Sequence, residues 1–125
     1  MIIGVPKEIK PQESRIGLTP DSVKELVKHG HQVLVENNGG FDAGFENIEY
    51  EKSGAKIINK VEDIFNDCEL IIKVKEPLSK EISMLRENQI LFTYLHLAAD
   101  ANLTKGLVNS KSICIAYETV TDESN

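Results

Sequence analysis

The chain has 125 residues, 41% of them hydrophobic, with 20 acidic and 14 basic side chains and a formal net charge of -6. That length suits one domain with one sizeable core, and the acidic balance argues against a basic nucleic-acid-binding face. No apolar run approaches the roughly 18 to 20 residues of a membrane-spanning helix, and residues 1–6 lack the length and basic flank of a signal peptide.

Residues 1–5 are apolar and β-branched and read as a first strand. A polar loop follows to Thr19. Thr19-Pro20-Asp21 then reads as a helix start, with Thr as N-cap, Pro at the first helical position and an acid near the positive end of the dipole. Val23, Leu26 and Val27 form its apolar stripe, and Gly30 ends it. Residues 31–36 read as the second strand, and Asn37-Asn38-Gly39-Gly40 as a turn cluster. A helix is predicted over 47–52, a short strand over 56–58 and a short helix over 61–67. The fourth strand is predicted over 70–74 and is apolar nearly throughout, as a strand covered on both faces should be. A helix over 79–88, a strand over 89–95, a helix over 100–109 and a strand over 112–117 complete the order. The strict alternation of strand and helix predicts an α/β fold with a parallel sheet and helices on both faces, a Rossmann-like or flavodoxin-like three-layer domain spanning residues 1–125. The linear order leaves the spatial order of the strands open. The tail from Glu118 is polar and offers no closing helix, which reads as a chain cut at a domain boundary.

Cys68 and Cys114 form no C-x-x-C and no cluster with His at zinc spacing, so both read as reduced core thiols of a cytosolic protein. No P-loop, nucleophile elbow or H-E-x-x-H is present, and Gly39-Gly40-x-x-x-Gly44 reads as turn glycines. His29 and His31 flank Gly30 and read as solvated or capping groups.

In a parallel sheet all strand C-termini point to one edge, where open α/β sheets bind ligands. Lys75 and His96 end consecutive strands in sequence, so both are expected there. Lysine can polarise a carbonyl or hold a carboxylate, and histidine can give or take a proton near neutrality. Arg15, in the loop after the first strand, adds a planar fork suited to a carboxylate. Taken singly, each has an ordinary reading as a solvated or hydrogen-bonded structural residue. Their convergence at one edge points to a pocket for a small anion with a proton-transfer group beside it. Glu13 and Glu118 could reach the same edge, although acidic surface residues are common. Tyr94 either orients a ligand or packs.

Several stretches carry a family resemblance. Gly4-Val5-Pro6-Lys7-Glu8, Glu13-Ser14-Arg15-Ile16-Gly17-Leu18-Thr19-Pro20, Lys73-Val74-Lys75-Glu76-Pro77, Leu91-Phe92-Thr93-Tyr94-Leu95-His96-Leu97-Ala98 and Ala116-Tyr117-Glu118-Thr119-Val120 closely resemble the alanine dehydrogenases. The resemblance runs from Met1 to about Val120 and corresponds to the first third of such an enzyme. It implies NAD-dependent oxidative deamination of L-alanine to pyruvate and ammonia, and the reverse, in a cytoplasmic homo-hexamer. Carried over residue by residue, it makes Arg15 the grip on the substrate carboxylate, Lys75 a second substrate-binding and catalytic group at the carboxylate and keto oxygen, and His96 the acid/base group. It places NAD on a domain that these residues do not contain, along with a further catalytic aspartate. It implies no membrane, metal or nucleic-acid partner. The related proton-translocating transhydrogenases and saccharopine dehydrogenases share the early E-x-R-x-x-x-T-P-type segment. A transhydrogenase-type subunit domain would lack the pair formed here by Lys75 and His96. A stand-alone module binding small keto or amino acids is the other alternative. Without the cofactor domain, the expectation is that this chain alone is inactive.

Overall fold

Thr19 caps the first helix as its sequence predicts, with its hydroxyl oxygen accepting from the Ser22 amide. In the computed structural model, which describes residues 1–124, that helix is α1 (Pro20–Lys28), preceded by β1 (Ile2–Val5). After it come β2 (Gln32–Glu36), α2 (Asn47–Lys52), β3 (Lys56–Ile58), α3 (Val61–Asp67) and β4 (Leu70–Ile72). The chain continues through α4 (Ser79–Ile82), β5 (Ile90–Thr93), α5 (Ala101–Ser110) and β6 (Ile113–Ala116). Gly30 sits at φ +89°, the left-handed conformation that lets the chain pass from α1 to β2 through three residues, 29–31.

All the strand pairs are parallel and the sheet order is β3-β2-β1-β4-β5-β6. This is the doubly wound Rossmann order, not the flavodoxin one, and it has a topological switch point between β1 and β4. The connections from β1 and β4 leave the sheet in opposite directions there and open a crevice at the strand C-termini.

Side-chain alternation splits the core into two clusters, one on each face. Ile3, Val5, Val33, Val35 and Ile72 pack with Val23 of α1 and Tyr50 of α2. Leu34, Ile71 and Leu91 pack with Ile64 and Phe65 of α3 and with Leu103 and Leu107 of α5. Gly4 is where α3 comes closest to the sheet: a Cβ there would lie 2.5 Å from Ile64 Cγ2 and 2.7 Å from Cys68 Sγ.

Three expectations need correction. The predicted helix over 79–88 closes after one turn, because its polar side chains bond elsewhere. Glu81 turns inward to Lys73, and Arg86 and Gln89 both donate to the Phe65 and Cys68 carbonyls at the end of α3. The fourth and fifth strands are shorter than predicted, since both peel away into the loops that build the site. Finally, Cys114 is not a core thiol. It is only half-buried on β6, the edge strand of the sheet, whose Ile113 and Ile115 on the other face are 48% and 42% exposed. Cys68, by contrast, is fully enclosed, and burial pushes its thiol up to about 12.

Candidate substrate site

The loop that leaves β1 crosses the switch point and docks on the loop that leaves β4. The contact is a buried ionic cluster. Glu8 Oε2 accepts from Lys73 Nζ at 2.7 Å, and the same ammonium donates to Glu81 Oε2 at 2.8 Å. All three residues are at most 6% exposed. Glu8 Oε1 accepts from the amides of Val74 (3.2 Å) and Lys75 (2.7 Å), and Glu81 Oε1 accepts from the Leu78 amide at 3.0 Å. The carbonyls of this loop are held as well: the Tyr117 hydroxyl donates to Lys73 O at 2.7 Å, and the Thr93 hydroxyl to Lys75 O at 3.0 Å. Every charge in the cluster is therefore paired, as burial requires.

The sequence reading gave Glu8, Lys73 and Glu81 no role. The available signal was a lysine inside the apolar run Leu70-Ile71-Ile72-Lys73-Val74. A charge at a core position demands a buried counter-ion, and Glu8, at the end of a strand expected to lie nearby, could supply it.

Lys75, half-buried, projects from the middle of this pinned loop. It lines an open cavity of about 540 Å³ together with Lys10, Glu13, Ser14 and Arg15. Lys10 is committed to an ion pair with Glu76. The Lys75 ammonium has no hydrogen-bond or ion-pair partner among the described residues.

Arg15 is held side-on by Glu13. Its Nε donates to Glu13 Oε2 at 2.9 Å and its Nη2 to Oε1 at 2.6 Å, while the Arg15 amide donates to Oε2 at 2.9 Å. Arg15 beside it holds the Glu13 carboxyl down at about 2, and the carboxylate raises the guanidinium in turn. A guanidinium has five N–H groups, so this pairing leaves the end-on pair, Nη1 and the second hydrogen of Nη2, for a ligand carboxylate. Glu13, weighed in the sequence mainly as a surface acid, is thus the group that orients Arg15.

Arg15 also lines a neighbouring cavity of about 420 Å³, whose walls are more apolar and include Ile16, Phe45, Val74, Tyr94 and Tyr117. Tyr94 packs edge-on against Tyr117 with ring centroids 4.9 Å apart, so it both packs and faces this cavity. Burial pushes the Tyr117 hydroxyl up to about 12, which keeps it a neutral donor to Lys73 O.

His96 lies at the same strand-end edge but outside both cavities, exposed, with φ 49° and ψ 43°. Its backbone is fixed by Glu118, whose carboxylate accepts from the amides of Leu95 and His96. The His96 amide is the main reason the Glu118 carboxyl sits below the usual carboxylate range. Arg15 and Lys75 therefore share a cavity, while His96 lies exposed outside it, at the same edge of the sheet. His29 and His31 are at the opposite edge, on Glu25 O and on the N-terminal amine, as capping groups. A larger hollow of about 790 Å³ at that edge contains none of Arg15, Lys75 or His96.

The family described as "Alanine dehydrogenase/PNT, N-terminal domain" matches residues 4–125. The chain belongs to this family. It is 51% identical over 121 residues to an alanine dehydrogenase of Halomonas elongata, covering 97% of this chain and 33% of that protein. It is 50% identical over 122 residues to the alanine dehydrogenase of Bacillus subtilis, covering 98% of this chain and 32% of that protein. Among solved structures, an L-alanine dehydrogenase superposes with a TM-score of 0.95 at 47% identity, covering 99% of this chain and 34% of that one. A transhydrogenase from Sinorhizobium meliloti gives 0.89 at 27% identity, covering 97% of this chain and 37% of that one. The chain thus spans about a third of the length of the curated relatives it matches.

The crevice of this N-terminal domain does not fit a dinucleotide. A pyrophosphate-binding turn needs glycines that let the phosphates approach a helix N-terminus. The connection between β1 and α1 has one glycine, Gly17, and a Cβ there would lie 2.7 Å from the Ile72 carbonyl oxygen, so the close approach is to β4 and not to a ligand. Across the switch point, the Val74 and Lys75 amides of the loop after β4 are already taken by the buried Glu8 carboxylate.

Proposed function

We propose that these residues form the substrate side of an NAD-dependent L-alanine dehydrogenase, which interconverts L-alanine and pyruvate with ammonia. The observation that carries this reading is the shared cavity at the switch point, where an end-on guanidinium and an unpaired ammonium meet. A 2-keto or 2-amino acid offers a carboxylate to the Arg15 donors and a carbonyl or amine beside it. In this arrangement Arg15 binds the carboxylate and Lys75 donates to the keto oxygen, stabilising the negative charge that develops there. His96 gives or takes the proton at the reacting centre once the substrate seats against the Tyr94 end of β5.

NAD, bound by residues outside these 125, would accept the hydride. The whole enzyme is proposed to work as a cytoplasmic homo-hexamer. Because hydride transfer requires the nicotinamide held roughly 3 to 3.5 Å from the substrate carbon, one wall of the cleft supplies ligands but not that geometry.

Titration of the ¹⁵N-labelled chain with pyruvate tests the site. Shifts confined to the 10–18, 73–78 and 93–97 segments are expected, with affinity lost in Lys75→Ala and reduced in His96→Ala. If both variants bind as the parent does, the assignment is wrong.

A further inference from the structure

We propose that Glu8 is a positioning residue for Lys75, acting through the peptide groups of the loop after β4; the inference rests on the substrate-site reading above. Lys75 belongs to a side-chain class with a flexible four-carbon stem, so its ammonium is only as well placed as its backbone. The end of a strand facing open solvent normally lets that backbone fray. Here two carboxylates prevent it. Glu8 receives the amides of Val74 and Lys75 on one oxygen, Glu81 receives the amide of Leu78, and the Lys73 ammonium ties the two acids together at 2.7 and 2.8 Å. The residue whose side chain faces the cavity is thereby held on both sides, at its own amide and at Leu78.

Glu8 touches no cavity that contains Arg15 and Lys75. Its oxygens are fully committed to the loop and to Lys73. It is not a group that meets substrate. Two features separate a clamp from a generic stabilising ion pair. The bonds to Val74 and Lys75 need only an acceptor oxygen, which an amide also has. The bond to Lys73 gains from charge, which an amide lacks. With its one amide oxygen on Val74 and Lys75, Glu8→Gln keeps the clamp but turns its N–H2 toward the Lys73 ammonium, so it loses the bond to Lys73 and leaves that charge to Glu81, while Glu8→Ala removes clamp and ion pair together.

The experiment compares the parent chain, Glu8→Gln and Glu8→Ala in two measurements: pyruvate affinity by NMR titration and amide hydrogen exchange at Val74 and Lys75. Positioning predicts that Glu8→Ala binds pyruvate about tenfold or more weakly and that Glu8→Gln stays within about threefold of the parent. It also predicts that exchange at Lys75 accelerates in Glu8→Ala by at least about tenfold beyond any change in β1 and β5 core amides, and does not in Glu8→Gln. Equal loss of affinity in both variants, or unchanged Lys75 exchange in Glu8→Ala, overturns the proposal. Should Glu8→Ala not fold, Glu8→Asp replaces it, since the shorter side chain keeps its charge but draws its oxygen away from the Lys75 amide. A parent chain that fails to bind pyruvate refutes the proposed function instead; the clamp is then judged by exchange alone, on the same criterion.

Discussion

Removing the Lys73 ammonium should be among the most damaging single changes in this chain. Lys73→Met keeps the stem volume and leaves the Glu8 and Glu81 carboxylates facing each other across a site where their side chains are 1% and 3% exposed. Loss of one member of a buried ionic cluster costs about 3 to 5 kcal/mol, because the remaining charge stays desolvated. Two carboxylates share this one lysine, so the upper end applies. A domain of this size has only about 5 to 15 kcal/mol in total, so the variant should sit near the edge of folding. The decisive comparison is the triple variant Glu8→Gln, Lys73→Met, Glu81→Gln. It removes all the buried charges, and the amide oxygens can still accept from Val74, Lys75 and Leu78. Charge neutralisation therefore predicts a sign reversal: the triple variant is more stable than the single one. Urea unfolding at pH 7, followed by far-UV circular dichroism, gives midpoints and slopes for the three proteins. If Lys73→Met costs under about 1 kcal/mol, or the triple variant is the less stable, the account of a buried and interdependent cluster is refuted.

Three further outcomes are expected. Glu13, held down at about 2 against an ordinary value of 4.5, contributes stability that is fully present above about 4.5 and is lost as pH falls toward about 2; the difference in urea midpoint between the parent and Glu13→Gln should shrink through that window. His96, at φ 49°, tolerates a left-handed backbone that a β-branched residue resists, so His96→Val should lower stability by about 1 to 2 kcal/mol at an exposed position whereas His96→Gly should not, as thermal and urea unfolding would report. The purified chain with L-alanine and NAD should show no increase in absorbance at 340 nm, and a measurable alanine-dependent increase would contradict the assignment of the cofactor to residues outside it.

The alternation of elements was readable because the strands are short, largely apolar runs and several helices carry their own stop or start: Thr19 and Pro20, Gly30, Gly54, Asp100. What pattern could not supply was anything decided between segments. The strand order depends on pairings across the whole chain. The early end of α4 depends on Glu81 being drawn to Lys73 and on Arg86 and Gln89 finding the carbonyls left open at the end of α3. Lys75 was legible as a strand-end cation and Arg15 as a loop cation facing the same edge, and the fold does bring them to one cavity. Their supports were not: Glu13, Glu8 and Glu118 look like ordinary surface acids in sequence, and only tertiary geometry shows that each spends its carboxylate orienting a neighbour. Lys73, a charge inside the apolar run 70–74, is the one local violation of pattern that points to the cluster, and the pattern alone does not name its partners.

Under the proposed function, the same supports fit this crevice to a small acid. At the switch point of a doubly wound sheet, free backbone amides usually receive the oxygens of a phosphate. Here the amides of Val74 and Lys75, in the loop after β4 on the other side of the switch point, are bonded by a carboxylate of the chain itself. An incoming anion then finds no backbone cradle and must bind side chains, of which an end-on guanidinium and one free ammonium remain. That pair matches a single carboxylate with one adjacent polar oxygen, and it is too sparse to neutralise a pyrophosphate. Glu8 thus has two effects through one set of hydrogen bonds. It fixes the backbone of Lys75, the residue proposed to meet the substrate, and it occupies two amides of the β4 loop that an incoming anion could otherwise have met.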